Sequence, residues 1–254
     1  MARTIYDDEF YSRQRDRSLE SAQIIVPLVM KTVQTKSVID VGCGMGGWLR
    51  AFAENGVTVV RGVDGDYVDS SKMYIAPEHF TPVDLSQPLK LDERFDLAIC
   101  LEVAEHLPDR ASSGLVRSLT ELAPVVLFSA SAPGQGGTGH INEQWPEYWT
   151  DVFAQQGFTA LDVIRPFIRE NRRVEWWYRQ NIALFASKAA IEANPVLREA
   201  SLNASEFEWV HVNMLRKAGV RNLLVHLWPA LGEAFRSRLS VRRYRLRAEQ
   251  ASGL

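Results

Sequence analysis

Residues 38–49, which read VIDVGCGMGGWL, constrain the fold of this chain more than any other stretch. Apolar and β-branched residues surround Asp40 and run directly into a cluster of glycines, after which the pattern is helical from Trp48 to Ala53. This order predicts a strand, a tight turn and the start of a helix. Glycine suits a turn in which φ is positive and a ligand touches the main chain. We therefore expect a small ligand to bind at this turn.

The spacing of the glycines alone leaves more than one ligand open. Gly42, Gly44 and Gly47 match the dinucleotide-binding fingerprint G-x-G-x-x-G. Asp64 lies near the offset, about 20 residues on, at which that fingerprint places the acid that binds a ribose hydroxyl. A dehydrogenase is therefore one interpretation of the turn. The rest of the chain must decide between a dinucleotide and other ligands.

The composition indicates a globular protein with a full core, because 46% of the 254 residues are hydrophobic and 24% are charged. No apolar run approaches the roughly 20 residues that span a bilayer, and the polar N-terminus is unlike a signal peptide. We therefore expect a soluble, cytoplasmic protein. Cys43 and Cys100 lie inside predicted core elements and not at a metal-ligand spacing, so we expect neither a disulfide framework nor a zinc site.

Strands alternate with helices along the middle of the chain, which predicts a doubly wound α/β sheet with ligands at the carboxyl ends of its strands. We expect a helical lead-in over residues 1–36, a ligand-binding core over 37–188 and a helical, arginine-rich C-terminal extension over 189–254. A helix is also predicted within residues 67–77. The predicted strands after the first are 57–63, 80–84, 95–101, 125–130, 158–164 and 181–187.

Three acidic residues, Asp64, Asp84 and Glu102, stand at the carboxyl ends of successive predicted strands. Adenosine offers two ribose hydroxyls and one exocyclic amine as donors, and carboxylates accept from all three. A dinucleotide site has a use for the first acid but no general use for the other two. No tyrosine in the chain is followed four positions later by a lysine, the pair that a short-chain dehydrogenase needs. The acids therefore favour a different ligand that contains adenosine.

With these residues, the sequence from about residue 37 to residue 187 resembles the class I S-adenosylmethionine-dependent methyltransferases. The stretch LEVAEHLP at 101–108 is similar to their motif after the fourth strand. The resemblance implies a seven-stranded Rossmann-like sheet, mostly parallel with its last strand antiparallel, helices on both faces, and S-adenosyl-L-methionine as cofactor. It also implies that Asp64 binds the ribose hydroxyls and that Asp84, beside the backbone of Leu85, binds the adenine amine. The implied cofactor-binding residues are Asp40, Gly42, Gly44, Gly46, Asp64, Asp84, Leu85 and Glu102.

Histidine and aromatic side chains indicate where a methyl acceptor binds. His140 ends the glycine-rich loop 131–140 after the fifth predicted strand, and His106 follows the fourth. Histidine can be neutral near physiological pH, so we predict His140 as the general base and His106 as a second catalytic candidate. The predicted substrate-binding residues are Asn142, Gln144, Trp145, Tyr148, Trp177 and Tyr178.

These side chains favour O-methylation of a small molecule, a sugar or glycan, or a natural product. The segments GHINEQWPEYW and WWYRQN resemble those of bacterial methyltransferases that modify such acceptors. N-methylation of a small molecule, or a cofactor-binding partner subunit without catalysis, are alternatives that the sequence leaves open. We expect no resident metal, although His106, His140 and nearby carboxylates could hold a divalent ion that acidifies a hydroxyl.

The segment 235–247, FRSRLSVRRYRLR, carries six arginines between apolar residues. This pattern is typical of a solvated terminal helix, and it could also make a peripheral contact with a membrane or an anionic substrate. The whole chain has a net charge of -2, so nucleic acid is not expected as a partner. The sequence leaves the oligomeric state open.

Removal of the residues after Ala234 is expected to leave cofactor affinity intact, because the arginine run lies outside the part that resembles the family. Activity on an anionic or membrane-associated acceptor is expected to fall. Calorimetric titration of the truncated protein with S-adenosylhomocysteine measures the first outcome. A truncated protein that no longer folds would show instead that the tail is part of the core.

Overall fold

The structure, a computed structural model, describes residues 8–202, with side chains from residue 17 onward. Its strands are β1 (Ser37–Val41), β2 (Val59–Asp64), β3 (Phe80–Pro82), β4 (Leu97–Leu101), β5 (Val125–Ser129), β6 (Phe158–Leu161) and β7 (Ala183–Ser187). They form one sheet in the order β3-β2-β1-β4-β5-β7-β6. Neighbouring strands are parallel except for β7, which runs antiparallel to β5 and to β6.

Helices connect the strands and cover the sheet. The α-helices within residues 8–202 are α1 (Asp8–Thr32), α2 (Gly47–Glu54), α3 (Ser112–Leu122), α4 (Pro146–Ala154), α5 (Arg165–Ile168), α6 (Trp176–Asn181), α7 (Lys188–Ala193) and α8 (Pro195–Leu202). Single 3-10 turns lie at Ser70–Lys72, Pro77–His79, Ala104–His106 and Asp109–Ala111. The turn that follows β4 is the one that bears on the site.

Strand β4 shows how the sheet divides the core, because all five of its residues are buried. Leu97 and Ile99 belong to the apolar cluster that includes residues of α1 and α2, whereas Ala98 and Cys100 belong to the cluster of α3 and α4. Successive side chains of a strand point to opposite faces of the sheet. Helices therefore bury β4 on both faces, as expected of a parallel sheet, and the carboxyl edge is left for a ligand.

The doubly wound seven-stranded sheet with an antiparallel last strand is confirmed. The observed strands are shorter than the predicted ones, since β3 ends at Pro82 and β6 at Leu161. In these two strands apolar residues continue past the last paired residue. An apolar run alone therefore places the end of such a strand too late.

The helix predicted within 67–77 is wrong. A single 3-10 turn at Ser70–Lys72 forms there, and the Asp69 carboxylate caps it by accepting a backbone hydrogen bond at 3.1 Å. The backbone N–H of Tyr74 donates to the carbonyl of Met45 at 2.8 Å. This main-chain donor is satisfied by the glycine turn and not by a helical carbonyl, so a tertiary contact replaces the helix.

Residues 1–7 and 203–254 lie outside the described part of the chain. The arginine-rich segment 235–247 is among them, and the domain division at 36 and 188 stays a prediction. Across residues 8–202, no helix has both the length and the apolar character needed to cross a bilayer. Cys43 and Cys100 are buried free thiols, consistent with the expected role of small core residues.

Candidate active site

The turn after β1 passes directly against the chain that follows β4. Gly42 has a φ of 88°, and a Cβ built on it would lie 2.2 Å from Cγ2 of Val103. Gly44 also has a positive φ, 50°, but a Cβ there would meet nothing within 4 Å. Gly42 is therefore required by packing, whereas Gly44 leaves bare backbone facing open space, where a ligand can approach it.

Asp64 links the end of β2 to this turn. One carboxylate oxygen, Oδ2, accepts a hydrogen bond from the backbone N–H of Gly44 at 2.7 Å. The other, Oδ1, accepts from the N–H of Gly65 at 2.6 Å and from the hydroxyl of Tyr67. Asp64 thus holds the turn and presents its carboxylate at the sheet edge.

Asp40 lies in β1 next to this carboxylate and is itself buried. Burial, followed by the negative charge of Asp64, raises the pKa of Asp40 well above its ordinary value. Two carboxyl groups therefore share a poorly solvated region. A positively charged ligand group would relieve the repulsion between them.

Asp84 follows β3 and is exposed. Its Oδ1 accepts a hydrogen bond from the backbone N–H of Ser86 at 2.9 Å, and hydrogen bonds from Ser86 lower the pKa of Asp84. The N–H of Val83 donates to the carbonyl of Asp64 at 2.8 Å, which joins the ends of β2 and β3. Asp64, Asp84 and the partly buried Leu85 thus follow one another along the sheet edge.

Glu102 leaves β4 with a φ of 56°, the only positive φ of a non-glycine residue in the described part of the chain. Its carboxylate accepts hydrogen bonds from Nε2 of Gln135 at 3.1 Å and from Nδ2 of Asn181 at 3.2 Å. Gln180 joins the same network by donating to the side-chain oxygens of both amides. Burial raises the pKa of Glu102, and these amide donors partly offset the increase. A role in cofactor binding stays a prediction.

Glu105 lies in the 3-10 turn after β4, and its side chain is completely buried. Its Oε1 accepts a hydrogen bond from the backbone N–H of Ser131 at 3.2 Å, whereas Oε2 has no hydrogen-bond partner. The carbonyl of Glu105 accepts from the N–H groups of Ile141 and Asn142 at 2.9 and 3.1 Å. Burial, followed by the charge of Glu102, raises the pKa of Glu105 well above its ordinary value, and a buried carboxyl oxygen without a partner costs about 1–3 kcal/mol.

His106 and His140 meet at this point, with ring centroids 4.9 Å apart and the rings almost perpendicular. Nδ1 of His140 lies 3.0 Å from Oε1 of Glu143. Glu143 also accepts hydrogen bonds from the backbone N–H groups of Gly134 and Gly136 at 2.9 and 2.8 Å. One carboxylate therefore holds both the glycine-rich loop and the imidazole that ends it.

His106 is exposed as a residue, but its ring is partly desolvated by its neighbours. This desolvation, and then the electrostatic effect of the neighbouring His140, lowers the pKa of His106. The ring is therefore neutral at neutral pH. A neutral imidazole can accept a proton or bind a cation.

The predicted substrate residues belong to two segments, 142–148 and α6. Asn142 is buried, and its side-chain amide donates a hydrogen bond to the carbonyl of Ala104. The side-chain amide of Gln144 donates to Oδ1 of Asn142 at 2.9 Å. Trp145 is 40% exposed, and the hydroxyl of Tyr148 donates to Asp109 at 2.7 Å. The other two aromatic residues lie in α6: Trp177 is partly buried, and the ring of Tyr178 packs against Trp48.

Tyr178 is the most enclosed of the four aromatic residues, and burial raises its pKa to about 12. Its hydroxyl lies 3.2 Å from Oγ of Ser18 in α1. The roles of all six residues in substrate binding stay predictions. Their positions indicate that Asn142 supports the loop, whereas Trp145 faces solvent.

Sequence reasoning missed Glu105, Glu143, Gln135 and Asn181. Glu105 lies inside the LEVAEHLP motif beside His106, and Glu143 follows His140 by three positions. Both signals were visible, but neither indicates contact without the fold. Gln135 and Asn181 carried no local signal, because their partner Glu102 is distant in sequence.

A sheet of this strand order, with a glycine turn after β1 and acids after β2, β3 and β4, defines a Rossmann-like methyltransferase. The family model described as "Methyltransferase domain" matches residues 11–177 of the 254. The chain therefore belongs to the methyltransferase domain family. The predicted class, that of the S-adenosylmethionine-dependent methyltransferases with their cofactor, is therefore confirmed as the family of this chain.

Two curated relatives carry the name ubiquinone biosynthesis O-methyltransferase. The one from Saccharophagus degradans is 24% identical over 201 residues, which cover 73% of this chain and 79% of the relative. The one from Coxiella burnetii is 34% identical over 84 residues, which cover 31% of this chain and 36% of the relative. The chain thus spans little more than a third of the length of the Coxiella burnetii protein.

Solved structures share the fold at low sequence identity. Magnesium protoporphyrin IX methyltransferase (ChlM) from Synechocystis PCC 6803 with bound S-adenosylhomocysteine is 18% identical, with a TM-score of 0.51 and coverage of 74% of this chain and 90% of that chain. The sugar N-methyltransferase KedS8 from Streptoalloteichus sp is 15% identical, with a TM-score of 0.52 and coverage of 74% and 97%. At this identity the likeness shows the fold.

The residues at the sheet edge fit the cofactor. Gly44 leaves the open space that a ligand on the main chain needs, because a Cβ there would project into it. Both oxygens of Asp64 already accept hydrogen bonds, from Gly44, Gly65 and the hydroxyl of Tyr67, so a ribose hydroxyl would have to share or replace one of these donors. The carboxyl groups of Asp40 and Asp64 are both buried, and a positively charged group bound near them would lower the raised pKa of Asp40. None of these residues carries a positive charge that would bind a pyrophosphate.

Gly44→Ala is expected to fold but to lose at least tenfold in affinity for S-adenosylmethionine, because the new Cβ projects into the open space above the turn. The positive φ should cost about 1–2 kcal/mol of stability in addition. Gly56→Ala is the matched control, since Gly56 also has a positive φ with open space around it. Calorimetry should show a similar loss of stability in both variants and a loss of affinity only at Gly44.

Asp40→Asn is expected to raise the melting temperature of the ligand-free protein at pH 8 and to raise it less at pH 5. The raised pKa of Asp40 means that its stabilising contribution is complete below the ordinary value of 3.8 and is lost as pH rises through the folded-state value. Asparagine keeps the neutral form at every pH. Asp92→Asn, at an exposed carboxylate, should show no such trend, and a uniform shift in both variants would contradict the assignment.

Proposed function

We propose that this methyltransferase transfers its methyl group to a hydroxyl oxygen of a small molecule. The observation that carries the proposal is the His140–Glu143 pair, with His106 beside it, in the segments that follow β4 and β5. An amine that is already neutral needs no base of this kind, whereas a hydroxyl must lose a proton. The names of the curated relatives, which are O-methyltransferases, support the same class of acceptor.

The proposed orientation of the cofactor follows the order of the strands. Asp64 and Asp84, at the ends of β2 and β3, would hold the ribose and the adenine. The glycine turn after β1 would hold the methionine part. The transferred methyl group then faces the segment after β4, where Glu105 and His106 lie.

When bound, the cofactor supplies a methyl group on a positively charged sulfur. The acceptor oxygen forms a bond to the methyl carbon while the carbon–sulfur bond breaks, and the electron pair of that bond stays on sulfur. The hydroxyl proton passes to His140. Because the displacement is in line, much of the rate comes from holding the oxygen, carbon and sulfur collinear at near-contact distance.

Glu143 has a positioning role in this proposal. Its contact with Nδ1 of His140 leaves Nε2 as the ring nitrogen available to an acceptor. Its bonds to Gly134 and Gly136 fix the loop that carries the ring. A carboxylate held in this way also stabilises the imidazolium that forms when the proton arrives.

The surroundings of His140 favour an acceptor with a flat, weakly charged ring. Ile141 is 68% exposed and Trp145 is 40% exposed, so two large apolar side chains next to the histidine face solvent. A hydroxylated aromatic ring or a sugar ring can cover such side chains. We therefore propose a ring hydroxyl as the acceptor group, ahead of a free amine.

His140→Ala is expected to lower kcat on a hydroxyl acceptor by about 10²–10⁴-fold, the usual contribution of a positioned base, while S-adenosylmethionine affinity is unchanged. A panel of phenols, sugars and amines with a radiolabelled methyl donor identifies the acceptor class and measures the rate. His79→Ala, at an exposed histidine outside the site, is the matched control.

Glu143→Gln should lower kcat less than His140→Ala and should shift the pH profile of kcat, since it changes how the imidazole is held. Near wild-type turnover of His140→Ala on a hydroxyl acceptor would contradict the proposed role of His140. Methylation of amines alone would contradict the oxygen assignment and favour the N-methyltransferase alternative.

A further inference from the structure

Glu105, His106 and His140 bring three potential metal ligands to one point. A carboxylate oxygen and one nitrogen from each imidazole all lie within 4.8 Å of one another. Bonds from a divalent ion to such ligands are about 2.0–2.2 Å long, so two ligands on opposite sides of an ion are about 4.2 Å apart. Small side-chain rotations are therefore enough to bring these atoms onto one ion.

A second, independent observation is the unpaired oxygen of Glu105. The side chain is completely buried, Ser131 satisfies Oε1, and Oε2 has no hydrogen-bond partner. Buried carboxylate oxygens in folded proteins are normally hydrogen-bonded or bound to metal. The Ser131 hydroxyl also acts on this carboxyl group and partly offsets its raised pKa, and a cation bound by the two neighbouring imidazoles would be a partner for Oε2.

The histidines are already held as metal ligands usually are. A histidine ligand commonly places its second ring nitrogen against a carboxylate, and Nδ1 of His140 lies 3.0 Å from Glu143. The carbonyl of Glu105 accepts backbone hydrogen bonds from Ile141 and Asn142, which tie the segment after His140 to the turn that carries His106. The three ligands are thus fixed relative to one another by the main chain.

We propose that Glu105, His106 and His140 bind one divalent ion of a first-row transition metal. Two nitrogens and one oxygen suit manganese, cobalt or zinc better than magnesium, which prefers oxygen ligands. Three protein ligands also leave coordination positions for an acceptor oxygen, and the exposure of His106 opens the cluster to solvent. This reverses the expectation of a metal-free site.

The metal site deepens the proposed O-methylation and rests on it for its function. A hydroxyl bound to the ion becomes more acidic and gives its proton to a water molecule. The oxygen then forms its bond to the methyl carbon as the carbon–sulfur bond breaks, with the electron pair left on sulfur. His140 holds the ion in this version and does not take the proton itself.

Binding of Co²⁺ to the full-length, metal-stripped protein tests the site directly, because bound Co²⁺ absorbs visible light. Wild type should bind one equivalent. Glu105→Gln, His106→Ala and His140→Ala should each weaken binding at least about tenfold, and Glu143→Gln about 10–100-fold, as for groups that orient a ligand. His79→Ala should bind like wild type. Mg²⁺ at equal concentration should not displace Co²⁺.

Glu105→Gln keeps an acceptor for Ser131, so its fold can be checked by thermal denaturation alongside the titration. The site is overturned if wild type binds no stoichiometric Co²⁺, or if His79→Ala weakens binding as much as the three ligand variants do. It is also overturned if Mg²⁺ competes equally with Co²⁺.

Activity separates this inference from the proposed function. Chelation should abolish methylation of a hydroxyl acceptor, and Mn²⁺ or Co²⁺ should restore it, while S-adenosylhomocysteine binds with or without metal. Full activity after chelation would overturn the metal's role and leave His140 as the base. A protein that binds Co²⁺ through the three ligands but methylates only amines would confirm the site and overturn O-methylation.

Discussion

The contact between Gly42 and Val103 is the constraint on which the site depends. The turn after β1 approaches the chain after β4 so closely that a Cβ on Gly42 would lie 2.2 Å from a methyl carbon of Val103. One of these segments carries the glycine turn and the other carries Glu105 and His106. Because only the Val103 side chain lies between Gly42 and the segment after β4, this close packing sets the distance between the glycine turn and the histidine cluster.

Buried carboxyl groups dominate the electrostatics of this edge. Burial raises the pKa values of Asp40, Glu102 and Glu105, and a neighbouring carboxylate adds to the increase at Asp40 and at Glu105. Each group costs folding free energy while it is charged, and hydrophobic side chains in the same places would cost less. A methyl donor with a positive sulfur, and a metal ion beside His106, would lower that cost. The buried carboxyl groups therefore lower the stability of the free protein, and the proposed cations would offset this cost.

One side chain, Glu143, makes several of the hydrogen bonds that order the loop after β5. Glycine-rich segments lose much conformational entropy when they are fixed, so loop 131–140 requires specific hydrogen bonds to hold one shape. Glu143 supplies three of them, two from backbone N–H groups and one at His140. The glycines also make room, because a Cβ on Gly137 would lie 2.1 Å from Nε2 of His140. The position of the His140 imidazole therefore depends on the loop as a whole.

Local chemistry was enough to predict the strand, turn and helix around Asp40 and the acids after the next strands, because strand periodicity and the φ preference of glycine act over a few residues. The prediction of a helix within 67–77 failed, because the backbone N–H of Tyr74 donates to the carbonyl of Met45 in another segment. Tertiary structure alone placed Glu105 and Glu143 against the two histidines. The parallel pairing of β4 with β5, and the hydrogen bonds from Ile141 and Asn142 to Glu105, bring these distant segments together. A single sequence carries no local trace of such pairing, since the contact exists only once the sheet has formed.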